Sequence, residues 1–422
     1  MLRKLNYVVM ALLVAVFVAG RVLRGRPSGM SGGRKHVRLA AASWQIREFP
    51  FEKTIERFEK AHPDIHVTLH RLTNDYELSL MLAWKIDEPI YDLVVAPSSE
   101  NYIRFYEAGL LEPLDAYMPE EFKKDFIKAF YADAVFDGHV YGLAFMGEVQ
   151  TLNHRSDILR DIGAEPPKTW EQLGDVLRKI KAAALVSPTG RKIHPIALDM
   201  TTLFFVQNTY VPMLRSFRGS VVNDEGHLDL ASPEAHRCFD LLRKWIREGL
   251  VSPSGVNQYG APDDFKSGIA AFFPHWQSRG LWAVEVRGAE NIGIIPSPDA
   301  GKVGSLIATH GGVIPKCSPV KREAALLLTE GICKMMQPGV AKIGKMPVIR
   351  SAYREKAIPQ WMRDLLPGLD EGYTTPDPIA SFRIFELVAI EFQRFKDDDS
   401  VTAEEALRRA RERVAKVYED VK

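Results

Sequence analysis

The chain has 422 residues, too many for one compact core, so two lobes are the expectation. Hydrophobic residues make up 46% and charged residues 26%, the mix of a folded globular protein rather than a disordered or fibrous one. The net charge of +1 argues against nucleic acid as the main partner, because a phosphate-binding surface needs a basic excess.

Arg3 and Lys4 precede an apolar run from Leu5 to Gly20, the pattern of an export signal. "VAG" at Val18–Gly20 offers small residues for cleavage, but Arg21, Arg24 and Arg26 follow at once. The run is shorter than the ~20 residues that span a bilayer, and reaches that length only if Val22 and Leu23 are counted. Two readings stand side by side: a cleaved signal, or an uncleaved inner-membrane tether through residues 5–23. No cysteine follows the run, so a lipoprotein anchor is excluded. Residues 1–36 are read as signal or anchor plus a flexible tether, and the rest as periplasmic or otherwise extracytoplasmic.

"VRLAAA" (Val37–Ala42) predicts a first strand. Phe51, Ile55 and Phe58 sit at helical spacing, and Pro63 stops that helix. Ile65, Val67 and Leu69 alternate with polar residues, a strand, and a second helix covers Tyr76 to Trp84. "YDLVVAP" (Tyr91–Pro97) reads as a strand buried on both faces. Ser98 or Ser99 caps a third helix that ends at Gly109. This alternation predicts an α/β fold with a mostly parallel sheet flanked by helices.

Phe136-Asp137-Gly138-His139 is a two-residue hairpin signal. The chain then runs extended through Phe145 to Asn153. Thr169 and Gln172 form a capping box ahead of an apolar helical face, Trp170, Leu173, Val176, Leu177 and Ile180. Ser232 caps a helix with Pro233 at its first position, Phe239, Leu242, Trp245 and Ile246 inward, and Gly249 at its end. Gly268 closes a helix before the strand "IAAFFP", "IGIIPSP" is another strand, and "GGVIP" leads to a helix from Val320 to Met336. A last capping box, Thr402 with Glu405, opens a helix to Val421 with the stripe Leu407, Ala410, Val414, Val417 and Val421. Breaks near 296–304 and 344–347 are candidate crossing points between lobes.

Three cysteines, Cys238, Cys317 and Cys333, give no disulfide framework, and nothing in their spacing supports a Cys317–Cys333 bridge. His62, His66 and His70 are a poor metal set, since Pro63 breaks the helix that would align the first pair and the other two fall on a strand face. No metal or other cofactor is expected.

Several blocks together resemble the extracellular solute-binding proteins of ABC importers, in the sugar-binding, maltose-binding-protein-like group. They are "IERFEKAHPDIHV", "YDLVVAPSSENYIRFYEAGLLEPLD", "DGHVYGLAFMGEVQTLNHRSDILRDIGAEPPKTWEQL", "VVNDEGHLDLASPEAHRCFDLLRKWIREGLVSP", "FKSGIAAFFPHWQS" and "GKMPVIRSAY". Three departures stand out. Ala144 replaces a proline, His154-Arg155 stand for Tyr-Asn, and His275 stands where a glycine often precedes the tryptophan.

The resemblance implies two α/β lobes joined by crossing strands, with the ligand between them. The expected N-terminal lobe is 37–146 with 305–345, and the C-terminal lobe 147–304 with 346–422. It also implies a carbohydrate ligand, ABC permease subunits as partners and action as a monomer. A sensory co-receptor and a carrier of a polyol or other non-sugar solute are the alternatives. An enzyme is not expected, because Glu148 has no evident partner carboxylate for glycoside hydrolysis and no nucleophile elbow is present.

A sugar needs aromatic surface for its C–H face and polar groups for its hydroxyls. Phe145, Met146, Glu148 and Gln150 on the extended segment offer that mixture, although Phe145 and Met146 equally suit a core. Trp276, at the end of a strand and followed by Gln277, is the expected stacking platform. Trp44 follows the first strand in the equivalent position. "THGGVIP" puts His310 beside the Gly311-Gly312 loop, where backbone approaches closely, and Arg350 follows "GKMPVI". The expected ligand-binding set is therefore Trp44, Phe145, Glu148, Trp276, Gln277, His310, Gly311 and Arg350.

Overall fold

The computed structural model describes residues 30–31, 33–72, 76–96, 99–200, 202–222, 228–256, 260–374 and 378–421. The apolar run 5–23 and Ser98 lie outside them. Among the described residues no helix is long and apolar enough to cross a membrane.

The chain divides into two compact units. Unit 1 holds residues through Gly147 with Thr309–Ile343 and Pro347–Ala357, and unit 2 holds Glu148–Ala308, Gly344–Met346 and Ile358–Lys422. The boundaries expected at 304/305 and 345/346 need correction. Residues 347–357 belong to unit 1 because Ile127 N–H donates to the Val348 carbonyl at 2.9 Å and Phe126 bridges to Ile349. Residues 305–308 stay in unit 2, where Gln150 N–H donates to the Leu306 carbonyl at 2.8 Å. The first strand also begins before the expected residue 37, since Arg34 and Lys35 already pair with Ser31 and Met30.

Unit 1 is built on strand β1 (Arg34–Ala42), followed by helix α1 (Ser43–Glu48), α2 (Phe51–Ala61), β2 (Ile65–Leu72), α3 (Tyr76–Lys85), β3 (Leu93–Val94) and α4 (Ser99–Glu107). β1 is central and parallel to both β2 and β3. The "YDLVVAP" strand is shorter than expected, but Val95 N–H still donates to the Ala40 carbonyl at 2.9 Å. Its entry is fixed by Asp92, which is fully buried. Arg38 grips that carboxylate with Nε and Nη2 at 2.8 and 2.9 Å, and the Ser318 hydroxyl donates to it at 2.9 Å. A bidentate, fully hydrogen-bonded pair of this kind offsets the cost of burying a charge.

The Asp-Gly signal forms the expected hairpin between β4 (Val135–Phe136) and β5 (His139–Val140). Asp137 and Gly138 both have positive φ, 49° and 80°, as a type I′ turn requires. β6 (Leu143–Arg155) follows, and along it the chain leaves unit 1 for unit 2.

Unit 2 contains α5 (Trp170–Ala183), β7 (His194–Ile196), a π-helical turn Val206–Tyr210, α6 (Pro233–Arg247), β8 (Ala270–Trp276), α7 (Gln277–Arg287) and β9 (Ile292–Pro296), and β10 (Ile307–Gly312) begins in unit 2 and ends in unit 1. The strand order is β9-β6-β8-β7, with β10 also pairing β6. β6 runs antiparallel to β8 and β9, and β7 and β8 are parallel, so this sheet is mixed. Trp170, Trp245, Phe239, Phe205 and Phe392 fill its core. The predicted helix from Val320 to Met336, which lies in unit 1, changes pitch: Lys321–Leu326 is α-helical and Leu327–Met335 is π-helical.

The caps form locally as the sequence dictates. Ser232 Oγ accepts from Ala235 N–H at 3.3 Å, and Thr402 Oγ1 from Glu405 N–H at 3.1 Å. Thr169 Oγ1 accepts from Gln172 N–H at 3.2 Å, but the Gln172 side chain reaches one residue further back, to Lys168 N–H at 2.8 Å. All three cysteines are free thiols, with burial pushing Cys317 up to about 11. Thr169→Ala removes one of the caps and is expected to cost about 1 kcal/mol of unit 2 stability, measured by urea denaturation.

Candidate functional site

In unit 1 the first strand delivers Trp44 to the start of α1, where it is half-buried. Its ring meets the His310 ring edge-on with centroids 5.3 Å apart, and Phe49 at 6.0 Å. β1 and β10 thus bring two of the predicted residues together. Arg350 opens a 3-10 turn of the same unit and is half-buried.

Two unit 1 expectations need correction. Phe145 is fully buried and packs on Phe49 and Phe51, with ring centroids 5.0 and 6.1 Å away, so it is a core residue. Gly311 is not there to admit a ligand. A Cβ on it would lie 2.2 Å from the Tyr102 hydroxyl oxygen and 2.4 Å from the Leu143 carbonyl oxygen, so the close approach is to β6 itself.

In unit 2 the antiparallel register sets Gln150 opposite Trp276. Trp276 is the last residue of β8 and is half-buried, partly packed on the unit 2 core. Its backbone N–H donates to Nδ1 of His275 at 2.8 Å, so that nitrogen is an acceptor and the imidazole is neutral. Burial, aided by the nearby Arg279 charge, pushes His275 down to about 3. The histidine that departs from the family pattern therefore helps fix the backbone of the predicted stacking residue.

Glu148, two residues before Gln150, is the first residue of unit 2 on β6. Its Oε1 accepts from the Ser278 hydroxyl at 3.1 Å and is paired with the Lys345 ammonium. Its Oε2 is buried and has no hydrogen-bond partner. Both side chains of the ion pair are mostly enclosed, at 14% exposure for Lys345 and 13% for Glu148.

Gln277 also needs correction. It is fully buried, and its amide is spent on backbone. Oε1 accepts from Val149 N–H at 2.6 Å and Nε2 donates to the Gly344 carbonyl at 3.2 Å. It links β6 to the segment 344–346 and is not available to a solute. Unit 1 contains a counterpart, the buried Gln337, whose Nε2 donates to the Phe145 carbonyl at 3.1 Å while Oε1 accepts from Val348 N–H at 2.8 Å.

Sequence reasoning missed Lys345, Ser278 and Gln337. The glycine and proline around Lys345 marked a crossing segment, but its partner lies 197 residues away. It also missed a buried polar set around Gln150. Gln150 Nε2 donates to the Asn208 carbonyl, and Gln150, Asn208 and Thr209 are all fully buried. Gln150 Oε1, both Asn208 amide atoms and Thr209 Oγ1 have no partner. Asn208 and Thr209 lie on the π-helical turn, a geometry frequent at functional positions. Among the described residues no group of three or more histidine, cysteine or carboxylate side chains could hold a metal ion. His62 and His66 are instead bonded to Glu330 and Glu59 at 3.0 and 3.1 Å.

Two expected outcomes follow from this geometry. Gln277→Leu strands the Val149 N–H and the Gly344 carbonyl, and is expected to cost about 1–3 kcal/mol for each in urea denaturation of unit 2. For His275, the unfolded imidazole takes up a proton near 6.5 and the folded one only near 3. Between these values the unfolded state holds more protons, so stability is full above 6.5 and falls as pH drops toward 3, by on the order of 1.4 kcal/mol per pH unit. His275→Asn keeps an acceptor for Trp276 N–H without the titration, and is expected to flatten that acid limb in pH-dependent denaturation.

Comparison with known proteins bears on this site. Residues 48–329 match the family of bacterial extracellular solute-binding proteins. A binding protein of Brucella abortus is 28% identical over 267 residues, covering 59% of this chain and 58% of that protein, so the chain spans little more than half the length of the curated relatives it matches. Among solved structures, the sugar-binding protein MalE from Xanthomonas citri superposes with a TM-score of 0.77 at 18% identity, over 90% of this chain and 97% of that one. An ABC transporter solute-binding protein from Agrobacterium vitis, with bound D-mannitol, gives 0.66 at 17% identity, over 92% and 99%. At these identities the structural likeness shows the fold, two α/β units of the MalE type. The family match, spanning well over half of the chain, goes further: this protein belongs to the bacterial extracellular solute-binding proteins.

Proposed function

We propose that this chain is the solute-binding component of an ABC importer and that its solute is a neutral carbohydrate or the related polyol. The observation that carries the reading is the pairing, in unit 2, of a half-buried indole at a strand end with a carboxylate two residues away along the register, one of whose oxygens lacks a donor. An aromatic face suits the C–H side of a pyranose, and a carboxylate oxygen suits its hydroxyls. Trp44 and His310 in unit 1 are proposed as further contacts. The ligands named for the Xanthomonas and Agrobacterium proteins, a sugar and D-mannitol, support the same chemical class.

In this reading no covalent step occurs. The protein binds outside the cytoplasm as a monomer, delivers the solute to permease subunits, and uses residues 5–23 as its export signal or membrane tether. A thermal-shift screen against mono- and oligosaccharides, polyols and polyamines tests it. A carbohydrate or polyol is expected to stabilise the protein by about 2.7 kcal/mol at one hundred times its Kd. Trp276→Ala is expected to abolish that response. An unchanged response in the variant removes Trp276 from the site, and indifference to every saccharide and polyol overturns the reading.

A further inference from the structure

We propose that Lys345 is a specificity-determining positioning residue: it holds Glu148 by one oxygen so that the other is offered to a hydroxyl of an uncharged solute. The inference rests on the reading of Glu148 as a solute contact and adds a residue and a charge preference to it.

The geometry is asymmetric. An ionised carboxylate has about four acceptor sites over its two oxygens. Here both available donors, the Lys345 ammonium and the Ser278 hydroxyl, converge on Oε1. Oε2 is buried with no donor. Leaving a buried acceptor unsatisfied costs about 1–3 kcal/mol, more when it is charged, so the arrangement is complete only when a donor arrives. A hydroxyl is the donor that fits, because O–H···O⁻ bonds are short and strong.

The ion pair also selects by charge. With Lys345 in place the Glu148 charge is already neutralised in a mostly enclosed position. An ammonium-bearing solute would meet Lys345 as a like charge, and an anionic solute would meet Oε2 as one. A neutral polyhydroxy solute meets neither penalty. The position of Lys345 supports this role. It is the middle residue of the three-residue segment 344–346, whose backbone is held by Gln277 through the Gly344 carbonyl. Leu281 packs beside Gly344, where a Cβ would meet its Cδ1 at 1.8 Å. The ammonium is thus delivered from a fixed backbone.

Isothermal titration calorimetry of the wild-type protein, Lys345→Met, Lys345→Arg, Glu148→Gln and the Glu148→Gln/Lys345→Met double variant tests this. The probes are D-glucose, maltose and D-mannitol as neutral solutes and D-glucosamine as the cationic one. The wild type is expected to bind at least one neutral probe and to disfavour glucosamine. Lys345→Met is expected to weaken the neutral probe at least tenfold and to raise the glucosamine-to-glucose affinity ratio, with Lys345→Arg restoring most of the loss. In the Glu148→Gln background the same lysine change is expected to matter less than twofold, because the lysine acts through that carboxylate. A merely structural lysine would not move the charge ratio, and would act alike in both backgrounds. A wild type that binds a neutral probe while Lys345→Met binds it equally overturns the role of Lys345 alone. A wild type that binds none of the neutral probes overturns the parent reading, and this inference with it.

Discussion

The strand along which the chain leaves one unit for the other is held, in each unit, by the side-chain amide of a buried glutamine. Gln337 binds the Phe145 carbonyl and the Val348 N–H in unit 1, and Gln277 binds the Val149 N–H and the Gly344 carbonyl in unit 2. A primary amide has the donor and acceptor needed to satisfy one carbonyl and one N–H at once. Where two backbone segments run side by side without regular pairing, such a group does the work of a ladder rung. Each glutamine couples β6 to the 344–348 segment, and Glu148 and Lys345 lie in the short stretches between the two attachments. The ion pair inherits its position from hydrogen bonds that carry no charge themselves.

The polar chemistry of unit 2 is balanced in a particular way. Glu148 is matched by Lys345, His275 is kept neutral by burial, and Gln150, Asn208 and Thr209 are neutral by nature. These side chains offer donors and acceptors in number, with the Arg279 charge near His275. Hydroxyls are both donors and acceptors, so they can meet either kind of group. The departure at His275 fits this pattern. Where a glycine would leave the preceding backbone free, the imidazole takes a hydrogen bond from the residue that carries the indole.

Much of the fold was legible in the sequence because its signals are local. Asp137-Gly138 specifies its turn through two positive φ angles, and Ser232 and Thr402 cap their helices through bonds spanning three residues. The candidate site was legible only in part. Trp276 and Glu148 were read as candidates because their place on a strand suggests an outlook. Phe145 and Gln277 were misassigned because alternation along a strand says which face a side chain takes and not what covers that face. Phe49 and Phe51 cover one and backbone covers the other. Gly311 marked a close approach, as read, but the approaching group is the protein's own Leu143 and Tyr102. Lys345 escaped because ion pairing across 197 residues leaves no trace in spacing.

The π-helical turn at Val206–Tyr210 has an evolutionary corollary. A π turn accommodates one residue more than an α turn over the same rise, so a one-residue deletion there can be absorbed by tightening to α geometry, with both flanking helices keeping their ends. Side chains beyond the turn would keep their directions, and only those of the turn itself would be re-aimed. A neighbour would take the place of the Asn208 amide, with β6 untouched. A single indel at this spot is therefore a short mutational path to a different polar set around Gln150 on an unchanged scaffold.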